Sequence, residues 1–207
     1  MENSFITRNA NDDTNSLTAT HAPSEDKFVF LYFLIVVGVV LFVRVFIASP
    51  WLVSGTSMLP NFQDYNYLIV DRLTYRLSAP ERGDVVVFGL PQMPSRDLIK
   101  RIVGLPGDTI TIMGNAVRIQ DKTHPDGFIL DEPYLDPSDL GGIDQQVTTL
   151  GPDEYYVLGD NRRVSSDSRI WGVLPRSNII GKVALRLFPF NEIDIVPSQS
   201  RYTQDIH

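Results

Sequence analysis

The longest stretch of uniform hydropathy runs from Phe28 to Val43, F-V-F-L-Y-F-L-I-V-V-G-V-V-L-F-V, with no charged residue. Arg44 follows, then Val45-Phe46-Ile47-Ala48 before Ser49-Pro50. The run is apolar on every helical face rather than along one stripe. It predicts a membrane-spanning helix over residues 28–48, about 31 Å long and enough to cross the hydrocarbon core. Arg44 stands near the end, where a long side chain can snorkel to the headgroups, and Trp51 suits the interface. A cleaved leader fits less well. Lys27 is offset by Glu25 and Asp26, so the basic flank is missing, and I-A-S-P offers no small-x-small pair, with a proline immediately after the plausible cut.

Beyond the run the period shortens to two. Tyr67–Val70, Asp84–Phe88, Leu98–Val103, Thr109–Met113, Ala116–Gln120, Tyr155–Leu158 and Lys182–Leu187 are short, β-branched or aromatic, and bounded by Gly, Pro and Asn. Gly114-Asn115 between two of them predicts a tight hairpin. The chain therefore reads as a polar, flexible tail over residues 1–27, an anchor over 28–48, and a mainly β domain of antiparallel strands over 49–207. Residues 121–152, rich in Pro, Gly and Asp, predict an extended surface insertion.

Composition narrows the chemistry. A mean hydropathy of -0.04 averages the apolar anchor with a polar remainder. A net charge of -7 argues against a nucleic-acid binder. The absence of cysteine removes thiol nucleophiles, disulfides and Cys-rich metal sites. Histidines at 21, 124 and 207 are too scattered for a helical zinc pair, so neither a metal nor a cofactor is expected.

Two elements remain that could carry a reaction. W-L-V-S-G-T-S-M-L-P, residues 51–60, is a small-residue turn holding serines between apolar residues. In D-L-I-K-R-I-V, residues 97–103, Lys100 lies between Leu98 and Ile102 on one face of a strand. Burial there would disfavour the ammonium form and make the amine a base. Taken singly, the first reads as an ordinary turn and the second as an edge-strand lysine.

Together, in this order, the blocks resemble the bacterial type I signal peptidases, membrane-bound serine proteases with a Ser–Lys dyad. S-G-T-S-M-L-P (54–60) resembles the nucleophile segment and R-G-D-V-V-V-F (82–88) the core strand. K-R-I-V-G-L-P-G-D (100–108) resembles the lysine segment, and L-G-D-N-R-R-V-S-S-D-S-R-I-W-G (158–172) the final box. L-D-E-P-Y-L (130–135) is a further familiar stretch.

The resemblance implies a hydrolase with Ser57 as nucleophile and Lys100 as general base. It implies that Ser165 hydrogen-bonds the lysine, that Asp160 pairs with Arg101, and that Asp167 and Arg169 form a second ion pair. The substrate, the extended end of a signal peptide on a secreted preprotein, would add as a strand between Pro50–Ser57 and Asp97–Lys100. Trp51, Val53, Met58, Phe62 and Ile99 would line pockets for small side chains. Relatives with a serine two residues before the nucleophile offer its hydroxyl to the oxyanion. Here that residue is Gly55, which leaves the Ser57 N–H as the obvious donor, so Gly55→Ser is expected to be tolerated or to raise turnover. The implied setting is the bacterial plasma membrane, with a single pass, an extracytoplasmic catalytic domain, lipid contact and a functional link to the export translocon. The competing reading is a membrane-tethered β domain that binds peptides without cleaving them and needs no Ser–Lys pair.

Overall fold

The computed structural model describes residues 25–44, 48–141 and 143–196. Contacts divide the chain into two compact units, Met1–Val39 and Val40–His207. Of the tail expected over residues 1–27, all but the last three lie outside the described residues.

Helix α1 (Glu25–Phe42) starts earlier and stops sooner than the apolar run. A π-helical turn follows at Val43–Arg44, and residues 45–47 lie outside the described residues. The predicted helix to residue 48 is thus corrected at its end, because Ala48 opens a strand, β1 (Ala48–Leu52). Pro50 supplies the reason: it holds Ser49 extended, and its missing N–H suits an edge strand. Among the described residues, no helix is long and apolar enough to cross a membrane. The first turn of α1 is Glu25, Asp26 and Lys27, and the uncharged remainder to Phe42 spans about 22 Å. Its large apolar side chains are exposed, from 36% at Val37 to 70% at Tyr32.

The strands that follow are β2 (Tyr67–Asp71), β3 (Val85–Leu90), β4 (Met93–Gly104), β5 (Thr109–Gly114) and β6 (Ala116–Gln120). Next come β7 (Phe128–Ile129), β8 (Ile143–Thr149), β9 (Glu154–Leu158), β10 (Leu174–Pro175), β11 (Ile179–Phe188) and β12 (Asp194–Ile195). Short helices α2 (Thr74–Leu77) and α3 (Ser168–Trp171) interrupt them. Each of the seven predicted strands is present, and all the pairings are antiparallel. The Gly114-Asn115 hairpin forms with Met113 opposite Ala116.

The larger sheet has the order β1-β2-β11-β3-β4-β9-β10, with β12 beside β11. The smaller runs β7-β6-β5-β8. The segment expected to be a loop-rich insertion over residues 121–152 therefore supplies two strands of the second sheet. β8 escapes a pattern search because I-D-Q-Q-V-T-T is largely polar, as an edge strand can be.

β3 is apolar without alternation because both its faces are covered. Val85 and Val87 pack with Val53, Met58, Phe62, Leu68, Val70 and Val183, whereas Val86 and Phe88 pack with Ile102, Val157 and Leu174. A third cluster joins the second sheet to β9 through Ile110, Ile119, Tyr156 and Leu158.

β1 and β4 stand four strand spacings apart in this order, about 19 Å if the sheet were flat. Three irregularities in the register of β11, one against β3 and two against β2, instead let the sheet curl over its first cluster. That curl carries the β1–β2 loop back to β4.

Ile119 is fully buried in the third cluster. Ile119→Ala is expected to cost about 2–5 kcal/mol and Ile119→Val about 0.5–1.5 kcal/mol. Urea unfolding monitored by circular dichroism checks both; equal costs would show that the second sheet is not packed through this residue.

Candidate active site

The loop between β1 and β2 is closed at its base. The Val53 N–H donates to the Asn66 carbonyl at 2.9 Å, and the Tyr65 N–H to the Val53 carbonyl at 3.0 Å. Half-buried Ser57 sits on this loop. Its Oγ accepts a hydrogen bond from Lys100 Nζ at 2.6 Å.

Lys100 lies on β4 and is only 1% exposed, as its place between Leu98 and Ile102 suggested. Its ammonium also donates to the carbonyl of Ile99 at 2.7 Å. Burial lowers its pKa from the ordinary lysine value to about 8. The carboxylates of Asp167 and Asp160 oppose that shift, and Arg96 adds to it. The amine is therefore a base available near neutral pH without histidine.

The segment 158–172 wraps the pair. Asp160 accepts from Arg101 Nε at 2.9 Å and Nη2 at 2.7 Å, with both side chains buried, as expected. Arg101 also donates to the Gly83 carbonyl and lies 4.1 Å from the centre of the Tyr134 ring. Asp167 accepts from Arg169 Nε and Nη2 at 2.8 Å each and from the Gly159 N–H at 3.0 Å. Asp167 also caps α3 at the Arg169 N–H. The Asn161 N–H donates to the Ser57 carbonyl at 3.0 Å, tying the segment to the serine itself.

One expected contact is absent. Ser165 is buried, but among the described residues its Oγ has no hydrogen-bond partner, Lys100 included. The amine turns instead to Ser57 and to the carbonyl next to it in its own strand.

A groove of about 140 Å³ opens beside the pair. Trp51, Val53, Asp97 and Ile99 line it as expected, joined by Leu52, Ser54, Leu68, Val87 and Leu98. Met58 and Phe62 do not line it; they are 1% and 3% exposed and sit in the core cluster beneath, because the loop turns its apolar side chains inward. Gly55 is also outside the lining, with its N–H on Asp64 Oδ1 at 2.9 Å. Gly55 has φ +101°, a conformation that costs other residues about 1–3 kcal/mol. The expectation that Gly55→Ser is tolerated is therefore corrected: space is open there, but the backbone is not.

Among the described residues, both walls of the groove offer unpaired strand edges. β1 is a terminal strand, and β4 pairs with β3 over Asp97–Arg101 but meets β9 only from Arg101 onward. Several supporting residues carried no assignable role in the sequence. Asn61 donates to Asp160, and Arg162 pairs with Glu132 in a buried contact. The stretch 130–135 holds Glu132 and Tyr134, but nothing in its pattern indicated these partners.

The sequence pattern described as "Signal peptidase, peptidase S26" matches residues 27–188. The signal peptidase I of Leptolyngbya laminosa is 37% identical over 159 residues, 73% of this chain and 74% of that protein. The signal peptidase I of Bacillus caldolyticus is 34% identical over 170 residues, 76% of this chain and 89% of that one. A crystal structure of a signal peptidase I from Enterococcus faecalis aligns over 51% of this chain and 97% of its own, at 26% identity and TM-score 0.44.

Gly159 is where the wrapping segment comes closest. A Cβ there would stand 2.1 Å from Ser165 Oγ and 2.5 Å from the Ser57 carbonyl oxygen. Gly159→Ala is expected to destabilise by about 1–3 kcal/mol. It should also drive Ser57 Oγ and Lys100 Nζ beyond about 3.2 Å. Denaturation and a crystal structure of the variant test this; an unmoved contact at unchanged stability would refute it.

Proposed function

The chain belongs to the signal peptidase family, peptidase S26, and is a hydrolase that removes signal peptides from preproteins; we propose that it does so with Ser57 as nucleophile and Lys100 as general base. The observation that carries this reading is the 2.6 Å contact between Ser57 Oγ and the buried Lys100 Nζ, beside a groove with open strand edges. A binding module would gain nothing from burying a lysine against a serine.

In this reading the pair works as follows. An extended substrate adds as a strand along Asp97–Lys100 and β1, with small side chains beside Trp51, Val53 and Ile99. Neutral Lys100 takes the Ser57 proton as Oγ attacks the scissile carbonyl, and the Ser57 N–H faces the developing oxyanion. Lys100 passes the proton to the leaving amine. A water that Lys100 then deprotonates hydrolyses the acyl-enzyme. Asp160–Arg101 and Asp167–Arg169 keep the pair in register.

α1 is the membrane anchor in this reading. Its exposed apolar side chains suit lipid on all sides, and the apolar sequence continues through Val45, Phe46 and Ile47. Arg44 and Trp51 suit the headgroup region. The catalytic domain then works on the extracytoplasmic side of a bacterial plasma membrane, where preproteins leave the export translocon.

Ser57→Ala and Lys100→Ala are each expected to abolish cleavage of a preprotein in detergent, with wild-type thermal stability showing that the fold survives. Cleavage by either variant would overturn the assignment. With the Lys100 pKa near 8, the ammonium dominates below that pH and the rate should rise through it, then level off. A profile flat from acid to neutral pH would contradict a lysine base.

The anchor predicts that the full chain stays with membranes through alkaline carbonate washing, and that Val36→Arg with Val40→Arg releases it. Release of the unaltered chain would exclude a span.

A further inference from the structure

We infer that Asn61 is a positioning residue of this active site: its side-chain amide ties the turn that carries Ser57 to the carboxylate that braces the strand of Lys100. The inference rests on the reading of Ser57 and Lys100 as the reacting pair. Asn61 follows Ser57 by four residues, in a turn closed by the Phe62 N–H on the Met58 carbonyl at 2.9 Å. Its Nδ2 donates to Asp160 Oδ2 at 2.8 Å and to the Tyr134 carbonyl at 2.9 Å. Both amide hydrogens are then used. Asp160 passes the link to Arg101, the residue after Lys100 on β4. Tyr134 closes the loop, because its ring faces the same guanidinium. From the other side, Arg186 Nη1 on β11 holds the Asn61 carbonyl at 2.8 Å.

The curl of the sheet explains why such a tie is needed. Ser57 lies on the loop between β1 and β2 and Lys100 on β4, which is not adjacent to either strand in the sheet, so no ladder fixes their separation. Asn61 joins the turn of Ser57 to the strand of Lys100 through Asp160 and Arg101. An amide suits the place because it meets two acceptors with two donors; a carboxylate would face both with lone pairs, and alanine would offer neither.

A purely structural role and a positioning role differ in their effect on pH dependence. The charged groups that act on Lys100 are Asp167 and Asp160 from the wrapping segment and Arg96 on its own strand, with Arg101 adjoining. Removing the Asn61 donor leaves the Asp160 charge less compensated, which favours the ammonium form. The rising limb of the rate should move to higher pH in Asn61→Ala and further in Asn61→Asp.

The test is steady-state cleavage of a signal-peptide substrate by the full chain in detergent, from about pH 6 to about pH 10. Asn61→Ala is expected to lower kcat on the order of 10²-fold. KM should stay within about twofold, with the limb displaced upward. Wild-type kcat and limb in folded Asn61→Ala, or a change confined to KM, would overturn the inference. If Asn61→Ala does not fold, Asn61→Ser keeps one donor and must fall between wild type and inactive; wild-type behaviour there also overturns it. Inactive Ser57→Ala and Lys100→Ala beside normal Asn61 variants would remove this inference alone, whereas cleavage by either dyad variant would remove the reading beneath it.

Discussion

Burying the amine of Lys100 strips hydration from its ammonium form, and the groups around it restore only part of what is lost. The carboxylates of Asp160 and Asp167 favour the charge, while burial and Arg96 disfavour it, and burial prevails. The surroundings are arranged around that balance. Each acid is held by its own arginine, so neither is free to swing in and pair with the lysine directly. Free of such a pairing, the amine donates to Ser57 Oγ and the Ile99 carbonyl instead. A salt-bridged lysine at this position would remain an ammonium and could not accept a proton.

Such burial requires a wall on each side of the strand, and the curled sheet provides it. β1 and β4 would stand far apart in a flat sheet, yet Trp51 and Val53 line the same groove as Asp97 and Ile99. The cluster of Val53, Met58, Phe62, Leu68, Val70, Val85, Val87 and Val183 fills the inside of the curve. Met58 and Phe62 set the height of the loop from below. The groove above is then shallow and apolar, with strand edges open for a further strand.

Much of the fold was legible because alternation and turn chemistry are local. Seven strands and the Gly114-Asn115 hairpin followed from residues a few positions apart, and Lys100 announced its burial through Leu98 and Ile102. β1 was hidden behind an apolar run that continues into it, and β8 behind its polar edge-strand sequence. At the site, the resemblance of 54–60, 100–108 and 158–172 to the family's blocks implied Ser57, Lys100 and both ion pairs. They did not show that Ser165 lacks a partner, that Met58 and Phe62 point into the core, or that Gly55 has a positive φ. Each depends on where the loop lies against other strands.

By itself, then, the sequence determined which chemistry is available: no thiol, no histidine pair, one serine turn, one lysine between large apolar neighbours, and a long apolar run. Those are properties of single residues and near neighbours. Whether the lysine meets the serine, which side chains face the groove, and that Asn61 reaches Asp160 were decided only in three dimensions. The deciding contacts join positions from 43 to 99 residues apart. No local propensity encodes such distances; the bulges of β11 and the packing beneath the curled sheet do.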